Sequence, residues 1–182
     1  MMTSAGWREM PSRAHDKNGQ DQPGSLSVSR MHIRRDNLAG NEVIDLLREH
    51  LHSMTLHSPS ASIHALDVEA LRQPQISFWT AWHGGELPGC GALKQLDAQH
   101  AEIRSMRTAS RHRRKGVAAA MLEHLLQKSR QGGYRRLSLE TGSAGAFTSA
   151  HRLYARFGFT FCEPFADYIE DPCSVCMSRQ IQ

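Results

Sequence analysis

Residues 102–126 have the sequence EIRSMRTASRHRRKGVAAAMLEHLL, which changes within a few positions from a strand pattern to a helix pattern. A short strand is predicted over residues 101–107, and a basic turn follows it. After Gly116 the apolar residues recur on one face of an amphipathic helix, at Val117, Ala118, Met121, Leu122, Leu125 and Leu126. We therefore predict a strand, a turn and a helix in direct succession.

The junction between this strand and this helix is predicted to bind an anion. The first N–H groups of a helix have no partner within the helix, and they lie at the positive end of its dipole. Gly116 lets a phosphate approach the backbone closely, and the small side chains of Ala118 and Ala119 keep the approach clear. Cationic side chains precede the glycine and add positive charge, at Arg111, Arg113, Arg114 and Lys115.

The spacing around this glycine distinguishes between kinds of phosphate loop. The sequence has no G-x-x-x-x-G-K-[ST] and no G-x-G-x-x-G after a strand, so neither a P-loop nor a dinucleotide fold is supported. Arg113-x-x-Gly116-x-Ala118 is instead similar to the R/Q-x-x-G-x-G/A acyl-CoA signature of the GNAT N-acetyltransferase superfamily. About thirty residues later, AHRLYARFGF at residues 150–159 resembles the A-x-x-L-Y-x-x-x-G-F segment of that superfamily. Two motifs in this order are more specific than either alone.

This resemblance, which extends from about residue 31 to the C-terminus, implies a fold and an activity. The fold is α/β, with a mixed, mostly antiparallel sheet of about six or seven strands flanked by about four helices. Its fourth and fifth strands separate and leave a V-shaped gap for the pantetheine arm of acetyl-CoA. The activity is that of an acyltransferase, a GNAT-type N-acetyltransferase with acetyl-CoA as co-substrate and no metal. The implied CoA-binding residues are Met106, Arg107 and Thr108 through their backbone, together with Arg111, Arg113, Arg114, Lys115, Gly116, Val117 and Ala118.

Two catalytic residues are implied by the same resemblance. Tyr154 occupies the position of the tyrosine that protonates the CoA sulfur, although a core tyrosine on an amphipathic helix is the alternative. Glu102 occupies the position of a carboxylate that deprotonates the amine, usually through water. A solvated glutamate paired with Arg104 or Lys94 across the sheet is the alternative. Phe147 replaces an asparagine that many members carry, and Ser143, Thr148 or Ser149 could take its place.

The acceptor implied is a primary amine of a small metabolite or amino acid. Substrate contacts are expected from the loop after the first helix, at His57, Ser58, Ser60 and His64, and from a crossover segment carrying Phe165 and Tyr168. Acetylation of a protein lysine or N-terminus is one rival. A non-catalytic acyl-CoA-binding sensor and a basic nucleic-acid module are the others, and charge alone leaves a duplex-binding patch open.

Length and composition set further bounds. The 182 residues suit one domain, which we expect over residues 30–182, after a disordered tail at residues 1–29. The net charge of +4 is concentrated before the central helix, which favours a small polyanion over nucleic acid as partner. No apolar run reaches the eighteen or so residues that span a bilayer, so no membrane partner and a cytoplasmic location are expected. A homodimer is compatible with all of this.

The cysteines and histidines are predicted to be neither metal ligands nor disulfides. Cys90, Cys162, Cys173 and Cys176 are expected to be free thiols, with Cys173-x-x-Cys176 inside a strand that directs the two side chains to opposite faces. His112 and His151 are expected on the surface, and His50 in the core or on the surface.

Glycine and proline place the remaining loops. A turn is predicted over residues 83–89, between strands at 75–83 and 90–96, and another over residues 141–145, after a strand at 134–140.

Overall fold

The computed structural model describes residues 31–56 and 68–182, and within them the chain forms seven strands in a single sheet with helices on both faces. The strands are β1 (His32–Arg35), β2 (Ile76–His83), β3 (Glu86–Gln95), β4 (His100–Thr108), β5 (Arg136–Gly142), β6 (Thr160–Cys162) and β7 (Ser174–Gln180). The helices are α1 (Asn41–Thr55), α2 (Val68–Leu71), α3 (Val117–Gln131) and α4 (Thr148–Arg156), with single 3₁₀ turns at Ser110–His112 and Gly145–Phe147. The predicted tail and the predicted substrate residues His57, Ser58, Ser60 and His64 lie outside the described residues.

The sheet has the order β1-β2-β3-β4-β5-β7-β6 and is antiparallel except where β4 runs parallel to β5. Successive residues of a strand point to opposite faces, and β2 shows the result: Phe78 packs with α1 and α2, whereas Trp79 packs with α3 and α4. The apolar stripe of α3 is buried against the second face, as its periodicity predicted, with Leu122 and Leu125 both 0% exposed. The predicted α/β class and mostly antiparallel sheet are confirmed.

The turn predicted over residues 83–89 is wrong in extent. Only Gly84 and Gly85 turn the chain, both with positive φ, and β3 begins at Glu86. Pro88 therefore lies inside a strand, at a point where the β2–β3 ladder shifts register and no N–H is required of it. The next residue, Gly89, has no room for a side chain, because a Cβ there would lie 2.7 Å from the Arg107 carbonyl oxygen.

The central strand β4 contains a bulge. Cys90 pairs with Arg107 and Ala92 with Arg104, so two residues of β4 stand opposite one residue of β3. Ser105 takes up the extra length in a left-handed conformation, with φ +52°.

The β4–β5 pairing ends just before this bulge, at Ile103 and Leu139, although both strands continue. A gap therefore opens between the ends of the two strands, as the predicted separation of the fourth and fifth strands requires.

Two boundaries in the C-terminal part also differ from the prediction. β5 extends to Gly142 because Thr141 and Gly142 pair with β7, so the predicted turn begins later. Cys173 precedes β7, so the cysteine pair does not share a strand. Instead Cys176 lies directly opposite Cys162 on β6.

The apolar face predicted for α4 is only partly buried. Within this helix Tyr154 is buried, whereas Ala150 and Leu153 are partly exposed.

Candidate active site

The predicted anion cradle has the expected backbone geometry. Gly116 caps α3 in a left-handed conformation, with φ +83°, which a side chain would strain. Its carbonyl oxygen accepts from the Ala120 amide at 3.0 Å, and no side chain caps the helix. The amides of Val117, Ala118 and Ala119 precede the first intrahelical donor, so they are available to an anion. The residues present therefore fit a phosphate-bearing ligand.

The basic turn before Gly116 contributes unequal charges. The Arg113 and Arg114 side chains are exposed and Lys115 is half-buried, so all three can reach a bound anion. Arg111 lies 3.7 Å from the Glu86 carboxylate, which offsets part of its charge.

The expectation of a surface position for His112 is wrong. Its residue is 3% exposed, and its Nε2 lies 3.1 Å from the Glu86 carboxylate. Burial lowers the pKa of His112 despite this carboxylate, so the imidazole is neutral at neutral pH. Its role is to pack beneath the basic turn.

A cavity lies at the gap between β4 and β5, and its lining residues come from both faces of the sheet. On the α1 and α2 face it is lined by residues that include His50, Leu71, Lys94, Glu102 and Tyr168. On the opposite face it reaches Phe147 and Tyr154. The gap between the two strands is therefore lined by side chains from both faces of the sheet.

Glu102 lies on the α1 and α2 side of this cavity and is 2% exposed, so the alternative is wrong about solvation, although the ion pair with Arg104 that it named is present. Its Oε1 accepts a hydrogen bond of 2.6 Å from the Tyr168 hydroxyl, and the Arg104 Nε lies 3.6 Å away. Burial and the neighbouring carboxylate raise the pKa of Tyr168 well above its usual value, so the phenol remains protonated. A buried carboxylate is thus connected to the cavity by a tyrosine that donates to it.

Tyr168 belongs to the segment between β6 and β7, which crosses the sheet face as predicted. Phe165 in the same segment is buried, with its ring 5.1 Å from that of Tyr168 and 5.7 Å from that of His100. Of the two predicted substrate contacts in this segment, Tyr168 lines the cavity. Phe165 does not line the cavity and packs against the ring of Tyr168 instead.

Tyr154 enters the cavity from α4. The residue is 6% exposed, and its ring contacts that of Phe159 at 5.8 Å. Burial raises the pKa of Tyr154 well above its usual value, so the hydroxyl keeps its proton at neutral pH. Its hydroxyl can therefore donate a proton at the side of the sheet that α3 and α4 cover.

Phe147 lies next to Tyr154 in this wall. A Cβ on Gly142 would overlap the Phe147 ring, so the ring packs directly on the β5 backbone. The position where the resemblance leads one to expect a polar asparagine is therefore filled by an aromatic wall.

Two further predicted cofactor residues have side chains that contact other parts of the protein. The Arg107 guanidinium donates to Glu49 of α1 at 2.8 Å, and Glu49 also accepts from the Ser110 amide at 3.1 Å. Although burial acts to raise the pKa of Glu49, the bonds from Ser110 and Arg107 outweigh it and lower the pKa. The side chain of Met106 packs over Gly91 towards Met121. The Arg107 side chain is therefore engaged within the protein, whereas Met106 also lines the cavity described above.

His50 is a cavity residue that sequence reasoning missed. It lies on α1 and lines the cavity, and its Nδ1 is buried with no hydrogen-bond partner among the described residues. Burial, reinforced by the Arg107 charge, lowers the pKa of His50 to about 4, so the ring is neutral at neutral pH. The position on the helix stripe gave no signal, because a histidine there looks like any core residue.

His151, expected on the surface, is half-buried, and its Nε2 donates to the Gly142 carbonyl oxygen at 2.9 Å. Over residues 31–56 and 68–182, no group of three or more His, Cys, Asp or Glu side chains could hold a metal ion. In the same ranges no helix is long and apolar enough to cross a membrane.

Comparison with known proteins agrees with this geometry. The chain belongs to the acetyltransferase (GNAT) family, whose model matches residues 42–159. It is 58% identical over 151 residues to the uncharacterized N-acetyltransferase YsnE of Bacillus subtilis, covering 83% of this chain and 100% of that protein. It is 48% identical over 146 residues to the uncharacterized N-acetyltransferase YedL of Escherichia coli, covering 80% and 92%.

A solved acyl-CoA N-acyltransferase from Klebsiella pneumoniae has the same fold, with a TM-score of 0.68 and 25% identity, covering 84% of this chain and 98% of that one. The protein is therefore an acyltransferase, and acetyl-CoA is the donor that its family uses.

Replacing Gly116 by Glu should weaken CoA binding about 100-fold or more, because it places a like charge beside the phosphates as well as straining the backbone. Gly133→Glu is the matched control: its φ is +77°, and a Cβ there meets nothing within 4 Å. Isothermal titration with CoA measures both variants. Equal affinities for the two would remove the anion site from the start of α3.

His50 should make the fold sensitive to acid. The pKa of His50 is lowered from 6.5 to about 4 in the folded state, so between these values the unfolded chain binds more protons than the folded protein. The free energy of unfolding therefore decreases as the pH is lowered. Between pH 7 and pH 5 this residue should cost about 2 kcal/mol of unfolding free energy. Urea unfolding at both pH values should show a smaller loss for His50→Gln than for the wild type. The exposed His52→Gln on the same helix should match the wild type, and an unchanged loss in His50→Gln would contradict the assignment.

Proposed function

We propose that the protein transfers an acetyl group from acetyl-CoA to the primary amine of a small molecule by direct attack of the amine on the thioester. One observation carries the proposal: a buried carboxylate, Glu102, accepts a hydrogen bond from Tyr168 at the wall of a cavity that Tyr154 also lines. The two sides of the opening thus carry a proton acceptor and a proton donor, which are the groups that acyl transfer to an amine requires.

The acetyl donor is best accommodated on the side of α3. The amides after Gly116, with Arg113, Arg114 and Lys115, would hold its phosphates, and the inner edges of β4 and β5 would flank its pantetheine arm. Acetyl-CoA supplies the activated acetyl group, and its sulfur needs a proton when the thioester breaks. Tyr154 is the donor we assign to that proton, since the residue lines the cavity on this side and its phenol remains protonated.

Glu102 is the base that we assign to the acceptor amine. Because its side chain is 3% exposed, direct contact with an amine in the cavity is restricted. The Tyr168 hydroxyl lies between the two and already donates to Oε1. In the proposed relay an ammonium N–H bond breaks, its proton passes to the Tyr168 oxygen, and the Tyr168 proton passes to Glu102. The products are a neutral amine, an intact phenol and a carboxylic acid.

The position of Tyr168 favours a small acceptor over a protein lysine or N-terminus. The segment that carries Tyr168 crosses the sheet face and is tied to it by the bond to Glu102 and by buried Phe165. A peptide acceptor needs an open groove across this face. A non-catalytic acyl-CoA sensor would need the cradle but not a buried carboxylate, whose desolvation costs several kcal/mol unless it is well paired.

Removing the carboxylate should affect the rate most where the amine must lose a proton. Glu102→Gln should lower kcat/KM about 100-fold or more near neutral pH, with the deficit shrinking at high pH as free amine accumulates. Tyr168→Phe should show the same pH dependence, and the double variant should be little slower than either single variant. Thiol release from acetyl-CoA over a panel of amines measures all three. A deficit that is independent of pH would refute the relay.

Removing the donor should leave CoA binding intact. Tyr154→Phe should lower kcat about 100-fold while the Kd for acetyl-CoA changes little, because the hydroxyl acts only as the sulfur departs. Tyr134→Phe, in the turn after α3, is the matched control and should retain full turnover. Full activity in Tyr154→Phe would dismiss this tyrosine as the acid and leave it a core residue.

A further inference from the structure

The α1 and α2 side of the cavity contains two cations that acetyl transfer itself does not use. Lys94 on β3 and Arg104 on β4 both line it. Lys94 lies directly opposite Glu102 in the β3–β4 ladder, and Arg104 is two residues further along β4. Residues spaced by two share one face of a strand, so all three side chains project towards the acceptor side.

The Lys94 ammonium has no ion-pair partner within residues 31–56 and 68–182. Within the described residues no acidic side chain lies at ion-pair distance from it, although Glu102 stands across the ladder. Oε1 of that carboxylate instead accepts from Tyr168 and is approached by Arg104. Lys94 is also half-buried, so part of its hydration is lost without compensation from a protein anion.

Arg104 is only partly used by the protein. Its Nε is the nitrogen that approaches Glu102, at 3.6 Å, and its side chain is 26% exposed. Within residues 31–56 and 68–182 the Arg104 guanidinium makes no hydrogen bond, and its ion pair with Glu102 has the long closest distance of 3.6 Å. A guanidinium in this state presents two parallel donors, which match the two oxygens of a carboxylate.

We propose that Lys94 and Arg104 form a subsite for a carboxylate on the acceptor, so that the acceptor is an amino acid with a free carboxylate. This narrows the proposed function and rests on it. With its amine at the gap beside Tyr168, such a molecule directs its carboxylate over β4 towards β3, a distance of about one strand spacing, roughly 5 Å. A polyamine would instead bring a second ammonium against two cations.

Matched substrates test the subsite. The panel consists of the α-amino acids, the corresponding α-amides, spermidine and phosphoethanolamine, each assayed by thiol release from acetyl-CoA. The wild type should prefer the best amino acid over its own amide at least tenfold in kcat/KM, because the amide keeps the amine and side chain but loses the charge. Equal use of acid and amide would overturn the subsite, as would a preference for spermidine or for phosphoethanolamine.

A charge-removing variant tests which residue is responsible. Lys94→Met keeps the apolar stem and should lower kcat/KM for the amino acid more than for the amide, so that the acid-to-amide ratio falls about tenfold. Lys128→Met removes the same charge from the exposed end of α3 and should leave both the ratio and the rates unchanged. A ratio that survives Lys94→Met would exclude Lys94 from the subsite.

Equilibrium binding separates this inference from the proposed function. Titration of the preferred amino acid and its amide into CoA-saturated protein should show tighter binding of the acid, and the difference should shrink in Lys94→Met. If no amine were acetylated but this difference were present, the transfer proposal would fail and the subsite would stand. If amides were acetylated and bound as well as acids, only the subsite would fail.

Discussion

The loss of pairing between β4 and β5 is the constraint on which the rest of the structure depends. Parallel pairing stops at Ile103 and Leu139, although both strands continue and keep their outer partners. The inner edges of the two strands then present backbone donors and acceptors that a sheet would normally satisfy. An extended ligand that inserts between them can take the place of the missing strand contacts.

The fold maintains this separation from both sides. On β4 the bulge at Ser105 changes the direction of the strand, and the ion pair of Arg107 with Glu49 fixes the strand end to α1. On β5 the strand remains paired to β7 through Gly142, and Phe147 packs on its last residue. The gap is therefore a braced opening between two well-supported strands, and the charged groups on its walls are placed by strand register.

Local sequence was sufficient for the fold and for the backbone of the cradle. The periodicity of α3 and the glycine before it depend on neighbouring residues only. The motif at residues 150–159 contains Tyr154, and the resemblance pointed to Glu102 through its position on the fourth strand. What sequence could not give were contacts between distant parts of the chain. A solvated Glu102 stayed open as an alternative because its partner Tyr168 is 66 residues away. His112 and the Nδ1 atom of His50 are buried by contacts with elements distant in sequence, which a local pattern does not predict. Pro88 looked like a loop residue because the register shift that tolerates it belongs to β2.

The lining of this gap from both faces of the sheet has a consequence for the order in which the two proposed substrates would bind. An acetyl donor held at α3 and an amine held beside α1 would approach the opening from opposite faces, so neither lies on the other's route to solvent. Each could dissociate while the other stays bound. The order of substrate binding would then depend on the relative affinities, because neither bound substrate would block access of the other.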